Sequence, residues 1–462
     1  MLRDRFHGQH STDSEAAIAA FEQAVLAVAA HRPLGDALQK ALSADPNLIA
    51  AHVLGGFGAL LLGRAETTAA ARSACDAATA AARSVKALSD SEAVLLLALR
   101  EAVVGRLRRA AGHLEQHLIA APEDFLAAKI AHALRFMLGD RNEMLRLTGH
   151  LVSSAPVSGA GYGFLMGCHA FGLEECGLYA EAEAVGRRAV ALEPADSWGL
   201  HAVSHVFEMT GRVDEGRDWL NASRPVWSRC NNFSFHMAWH LALLHLEKGN
   251  HDAVLAIYDE EVRPVETDDF RDMSNAVSML WRLEQEGVDV GDRWNGPAEI
   301  AYRRRTDTTY VFASLHYLLA LIAAGKMSSA EELVEAMRSR RLDECDQGRV
   351  TRFVGLPVAE ALIRIPGQRV KSGLCLSEMA RRLPAIGGSH AQRDVFLRSL
   401  MAVAVKGRDE RSLRAIASLR RQLRHEDRFH NAIMKRVNGG PAPTKPFRPT
   451  AHADHAPLGR LI

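Results

Sequence analysis

A chain of 462 residues exceeds what one compact core usually holds, so it forms either several domains or one long array. Lys+Arg total 56 against 55 Asp+Glu, a net charge of +1, and this balance gives nucleic acid or an acidic membrane nothing to select. No apolar run approaches the roughly 18 residues that a bilayer crossing requires, and the stretch LGGFGALLLG is short and interrupted by glycine.

From the first residue onward, the opening MLRDRFHGQHSTDS is charged, lacks an apolar core and is not expected to be a signal peptide. Six cysteines are scattered without a CxxC pair, which fits a reducing, cytoplasmic setting and no disulfide framework. A spacing then recurs. Ala41 and Pro46 fit a repeat that starts at Glu15, and Gly63 fits one that starts at Ile49, 34 residues later. Gly105, Ala110 and Pro122 fit a start at Ser91, and Gly139 a start at Phe125. The fullest copy starts at Gly163, with Ala170, Leu173, Gly177, Ala182, Ala189 and Pro194 at set positions. Further copies start at Ser197, Phe235 and Val311, the last with Gly325 at its turn, and Gly407 marks a final helix–glycine–helix unit.

This is the tetratricopeptide pattern. Small residues let two antiparallel helices touch, glycine turns the chain between them, and proline blocks continuation of the second helix. Steps of 42 and 38 residues between some starts imply insertions. Alternating β-branched runs and hairpin turns are nearly absent. The expected fold is therefore all-α: a tetratricopeptide-type helix-hairpin superhelix, an α-solenoid over residues 1–437, with closure of the array on itself left open. A Pro/Gly-rich C-terminal tail follows at 438–462.

In such repeats the first helix lines the concave groove, at about its second, fifth, ninth and twelfth positions. In HAVSHVFEM these positions place His201, His205 and Glu208 on one face, with Trp198 preceding them. The next repeat, FHMAWHLALLHLEKG, adds His236, Trp239 and His240, and His316 occupies a similar position later. Imidazole beside carboxylate suits acid–base chemistry near neutral pH. Histidine at i and i+4 also suits a metal, but HExxH is absent because Ala202 holds its glutamate place, and the sequence assigns no metal. Cys230 invites a Cys–His reading on sequence proximity alone. In IGGSHAQRDVF, Ser389 is a candidate N-cap, and Arg393 with Asp394 opens a helix whose N-terminus can hold an anion.

The segments HAVSHVFEMTGR, FHMAWHLALLHLEKGNHDAVLAIYD, SLHYLLAL and IGGSHAQRDVF resemble, in order, the tetratricopeptide repeat protein 38 family, and ALSADPNLIAAHVL is similar too. The resemblance covers most of the chain. It implies a cytosolic, all-helical repeat protein without implying a particular reaction. By motif match the family-type positions are His201, His205, Glu208, His236, Trp239, His240, His316, Arg393 and Asp394. The chain departs from the family at Ser314, where an Asp is common two residues before the histidine matched by His316.

The expected function is a binding scaffold whose His/Trp/Glu-lined groove grips a peptide or partner protein. The alternative is a small-molecule or enzymatic site, with histidine acid–base chemistry and metal assistance, inside a closed superhelix. Carboxylate clamps for peptides use Lys, Arg and Asn at groove positions, which this wall lacks. The residues name no cofactor and do not decide between binding and catalysis; nucleic acid and membrane are not expected as partners.

Overall fold

The computed structural model describes residues 1–366, 375–425 and 427–437; the stretch 438–462, expected to run as a tail, lies outside them. The described residues are 75% helical. Among the described residues the only sheet is a two-residue antiparallel pairing of Leu2–Arg3 with Gln9–His10. No described helix is long and apolar enough to cross a membrane.

The repeat marks do what their chemistry requires. First helices begin at Glu15, Ile49, Asp90, Phe125, Tyr162, Ser197, Phe233 and Val311, within two residues of the expected register. Gly63, Gly105, Gly139, Gly177 and Gly325 all adopt positive φ, the left-handed region that glycine enters without a Cβ clash. Ala170, Ala182 and Ala189 are fully buried between helices. Two departures stand out. At the last predicted turn the left-handed residue is Arg408 (φ 54°), while Gly407 ends the helix before it. The pair Phe270–Gln285 and Asn295–Arg303 was not legible in the repeat spacing. Its second helix is short and entered through the 3-10 turn Gly291–Trp294, so the spacing of small residues is lost.

The array closes on itself. The turns of the N-terminal pairs dock on elements of the C-terminal half. Asp346 N–H donates to the Gly105 carbonyl (3.0 Å), and the Tyr310 hydroxyl to that of Met137 (3.4 Å). Tyr179 hydroxyl bonds the Leu423 carbonyl, and His425 N–H that of Met209 (2.9 Å). At Gly139 a Cβ would lie 1.7 Å from the Pro384 carbonyl oxygen, so the turn packs backbone to backbone. What would be a groove in an open superhelix is thereby interior.

Asp196 shows how tightly that interior is drawn. It is the N-cap of the helix Ser197–Thr210, is fully buried, and neither carboxylate oxygen has a hydrogen-bond partner. Burial pushes its pKa up to about 7, with Lys129 opposing. The folded value lies above the unfolded one, so folding takes up a proton and stability falls as pH rises from about 4 to 7. Asp196→Asn is expected to be more stable than the parent at pH 8, by at most about 4 kcal/mol, with the gap narrowing toward pH 5. Melting curves across that range check it.

Candidate functional site

The helices Ser197–Thr210 and Phe233–Glu247 are first helices of neighbouring pairs. Each carries two histidines four residues apart, so both imidazoles of a pair leave the same face. His201, His205, His236 and His240 meet through their Nε2 atoms. His201 Nε2 lies 2.9 Å from that of His205, 3.0 Å from that of His236 and 3.1 Å from that of His240; the His236–His240 separation is 3.2 Å. The group has donor atoms all within 4.8 Å of one another. None of the four rings is more than 9% exposed.

The opposite ring nitrogens are held from outside. His240 Nδ1 faces the Glu208 carboxylate at 3.2 Å, and His236 Nδ1 the Asn275 side-chain oxygen at 2.9 Å. His205 Nδ1 faces Glu174 at 3.4 Å. Aromatic rings fill the flanks: Phe171 stacks on His201 (5.6 Å), Trp239 on His236 (5.3 Å), and Trp198 tilts over His201 (4.8 Å). His31 lies against Trp198 and Phe233 on the outer side, with its own φ at 55°.

Burial, followed by the mutual charges of the neighbouring rings, lowers the pKa values of His201 and His240 well below the usual imidazole range. His236 is lowered too, by burial and His240, with Asn275 opposing. At His205 burial acts downward, but the Glu174 carboxylate more than offsets it and the value is raised.

The remaining expected residues fall elsewhere. Trp239 is fully buried behind the histidines, its N–H donating to Ser278 Oγ at 3.1 Å, so it backs the wall. His316 is buried separately: its Nδ1 bonds the Phe312 carbonyl (2.8 Å), its ring packs on Phe312 and Phe396, and burial lowers it to about 3. Cys230 contacts Ser197 Oγ (3.1 Å) rather than a histidine, and burial raises its thiol. Ser389 caps its helix in a capping box with Gln392. The anion at that N-terminus is the chain's own Glu175, which accepts from His390 N–H (2.6 Å) and from Arg393 (2.7 Å). Arg393 and Asp394 therefore do not line a groove. Asp394 binds Arg420 (2.6 Å), which also binds Asp427, and Arg424 links this cluster to Glu208 (3.4 Å). A cleft of about 700 Å³ at the seam of the closed array includes Arg72, Tyr310 and Arg340 in its lining but none of the four histidines.

Sequence reasoning missed Glu174 and Asn275. Glu174 was within reach: it stands 34 residues before Glu208, at the same twelfth position of its repeat. Asn275 lies in the pair whose spacing is irregular.

No family model matches the sequence. Among solved structures the chain is similar to that of Naa15/Naa10 bound to HypK-THB, at 11% identity over 92% of this chain and 73% of that chain, with a TM-score of 0.22. That likeness is too loose to bear on fold or partner.

Arg420 is 1% exposed and sits between two buried carboxylates, Asp394 and Asp427. Arg420→Met would leave both to the longer contacts of Arg424, and urea denaturation is expected to show a loss of about 3 kcal/mol. Acid acts on the same contact. Burial would raise Asp394, but Arg420 and its neighbours hold it at about 2, below the unfolded value, so its contribution is complete above about pH 4 and lost as pH falls toward 2. Trp281, which donates to Ser399 in the helix His390–Gly407, should redden in fluorescence over that window.

Proposed function

We propose that this is a closed helical-repeat protein of the tetratricopeptide repeat protein 38 type that works by holding a small ligand at its buried histidine centre. One observation carries the reading. His201, His205, His236 and His240, expected to line an open groove, are at most 9% exposed and face one another. A peptide several residues long has no wall to lie on there, whereas an ion or a small polar group is within reach of four imidazoles at once. The flanking aromatic rings exclude water, which strengthens any electrostatic contact made inside.

Native mass spectrometry of the full chain, as purified from producing cells, tests this. A small non-protein mass retained under gentle ionisation and lost on denaturation is expected, and His201→Ala should lose it while keeping its helical circular dichroism. A bare chain mass, together with a peptide or protein that copurifies and survives His201→Ala, would favour the scaffold reading instead.

A further inference from the structure

We propose that His201, His205, His236 and His240 bind a divalent first-row transition-metal ion through their Nε2 atoms. The inference rests on the small-ligand reading above and names the ligand.

A neutral imidazole carries one N–H, and its position follows from what the other nitrogen faces. Carboxylate and amide oxygens only accept. The contacts to Glu208 and Asn275 therefore place the protons of His240 and His236 on Nδ1. The Nε2 lone pairs of His236 and His240 then point into the centre, where His201 and His205 can supply one proton each at most. The His236–His240 contact at 3.2 Å has none at all: two lone pairs face each other in a dry interior. Hydrogen bonding among the rings cannot satisfy this arrangement, whereas a cation among them satisfies all four.

Spacing agrees. Zinc–nitrogen bonds of about 2.0–2.1 Å put the ligands of a tetrahedral ion about 3.3 Å apart. Four of the six separations, 2.9, 3.0, 3.1 and 3.2 Å, reach that with shifts of a few tenths of an ångström, and the two between His205 and the rings of the next helix lie within 4.8 Å. The donor set decides the class. Imidazole nitrogens suit zinc, copper, iron and nickel, while calcium and magnesium need oxygen. No cysteine belongs to the cluster.

The surroundings fit as well. Glu208 and Glu174 stand one ring away from the centre, two carboxylates to oppose two positive charges. A carboxylate behind a histidine is the usual outer partner of a metal ligand. Glu174 is fully buried and its carboxylate meets His205 Nδ1 at a long 3.4 Å, a burial cost that a cation on the far side of His205 would offset. The sequence assigned no metal because HExxH is missing; the informative pattern is the doubled HxxxH, 201/205 and 236/240, on consecutive first helices.

The test uses the full chain, stripped with a chelator, incubated with Zn(II) and freed of excess metal by gel filtration. Plasma mass spectrometry should count about one zinc per chain. The His236→Ala/His240→Ala variant should retain less than about a tenth of that, since two of four ligands are gone. Glu208→Gln should keep the metal with affinity reduced about 10–100-fold. Cobalt(II) reads the site in unsubstituted protein: intense visible bands of a four-nitrogen tetrahedral ion are expected, and the weak spectrum of a hydrated ion would overturn the proposal even if the double variant fails to fold. Wild-type protein that retains no zinc would overturn it too. In that case a retained non-metal mass leaves the small-ligand reading standing, and a bare chain mass removes both.

Discussion

Two buried ion-pair groups, Arg393 with Glu175 and Arg420 with Asp394 and Asp427, decide what kind of molecule this is. They join helices more than two hundred residues apart or knit the C-terminal hairpin that makes the junction. An array of helix pairs with free ends presents its first helices to solvent as a groove. Once the C-terminal elements are locked onto the turns of the N-terminal pairs, the same helices face inward. Guanidinium and carboxylate are costly to bury and hold only with full hydrogen bonding. Their near-complete pairing here ties closure to specific geometry rather than to apolar contact alone.

Closure changes the meaning of the histidine wall. On an open surface four imidazoles would be solvated, and their arrangement would carry little information. Inside, each polar atom must be accounted for. Outer nitrogens of three rings face oxygen acceptors, aromatic faces cover the flanks, and the inner nitrogens converge with too few protons to go round. The closing network also reaches the centre: Arg424 touches Asp394 (3.5 Å) on one side and Glu208 (3.4 Å) on the other, and Glu208 holds His240. The carboxylate that orients a ring of the centre is thus itself oriented by the hairpin that seals it.

The fold was largely legible because its signals are local. Glycine at a left-handed turn, alanine at a helix contact and proline after a helix each act within one pair, so eight helix starts fell within two residues of their expected places. The pair Phe270–Arg303 was not, since a short, 3-10-entered helix keeps the architecture without the spacing. The composition of the centre was legible in part. His201, His205, Glu208, His236 and His240 share groove positions, and they converge. Arg393, Asp394 and His316 do not join them, because closure draws the first two into ion pairs and leaves His316 among phenylalanines. Closure depends on contacts across the whole chain, which no repeat register encodes. For the same reason a wall read as a groove proved to be a centre.

The most direct measurement is anomalous diffraction from crystals of zinc-loaded protein, recorded on either side of the zinc absorption edge. The account predicts one strong peak about 2.0–2.1 Å from all four Nε2 atoms, with Glu208, Asn275 and Glu174 still behind their rings. Absence of a peak, with one or more imidazoles turned so that N–H groups bridge the ring nitrogens, would contradict it.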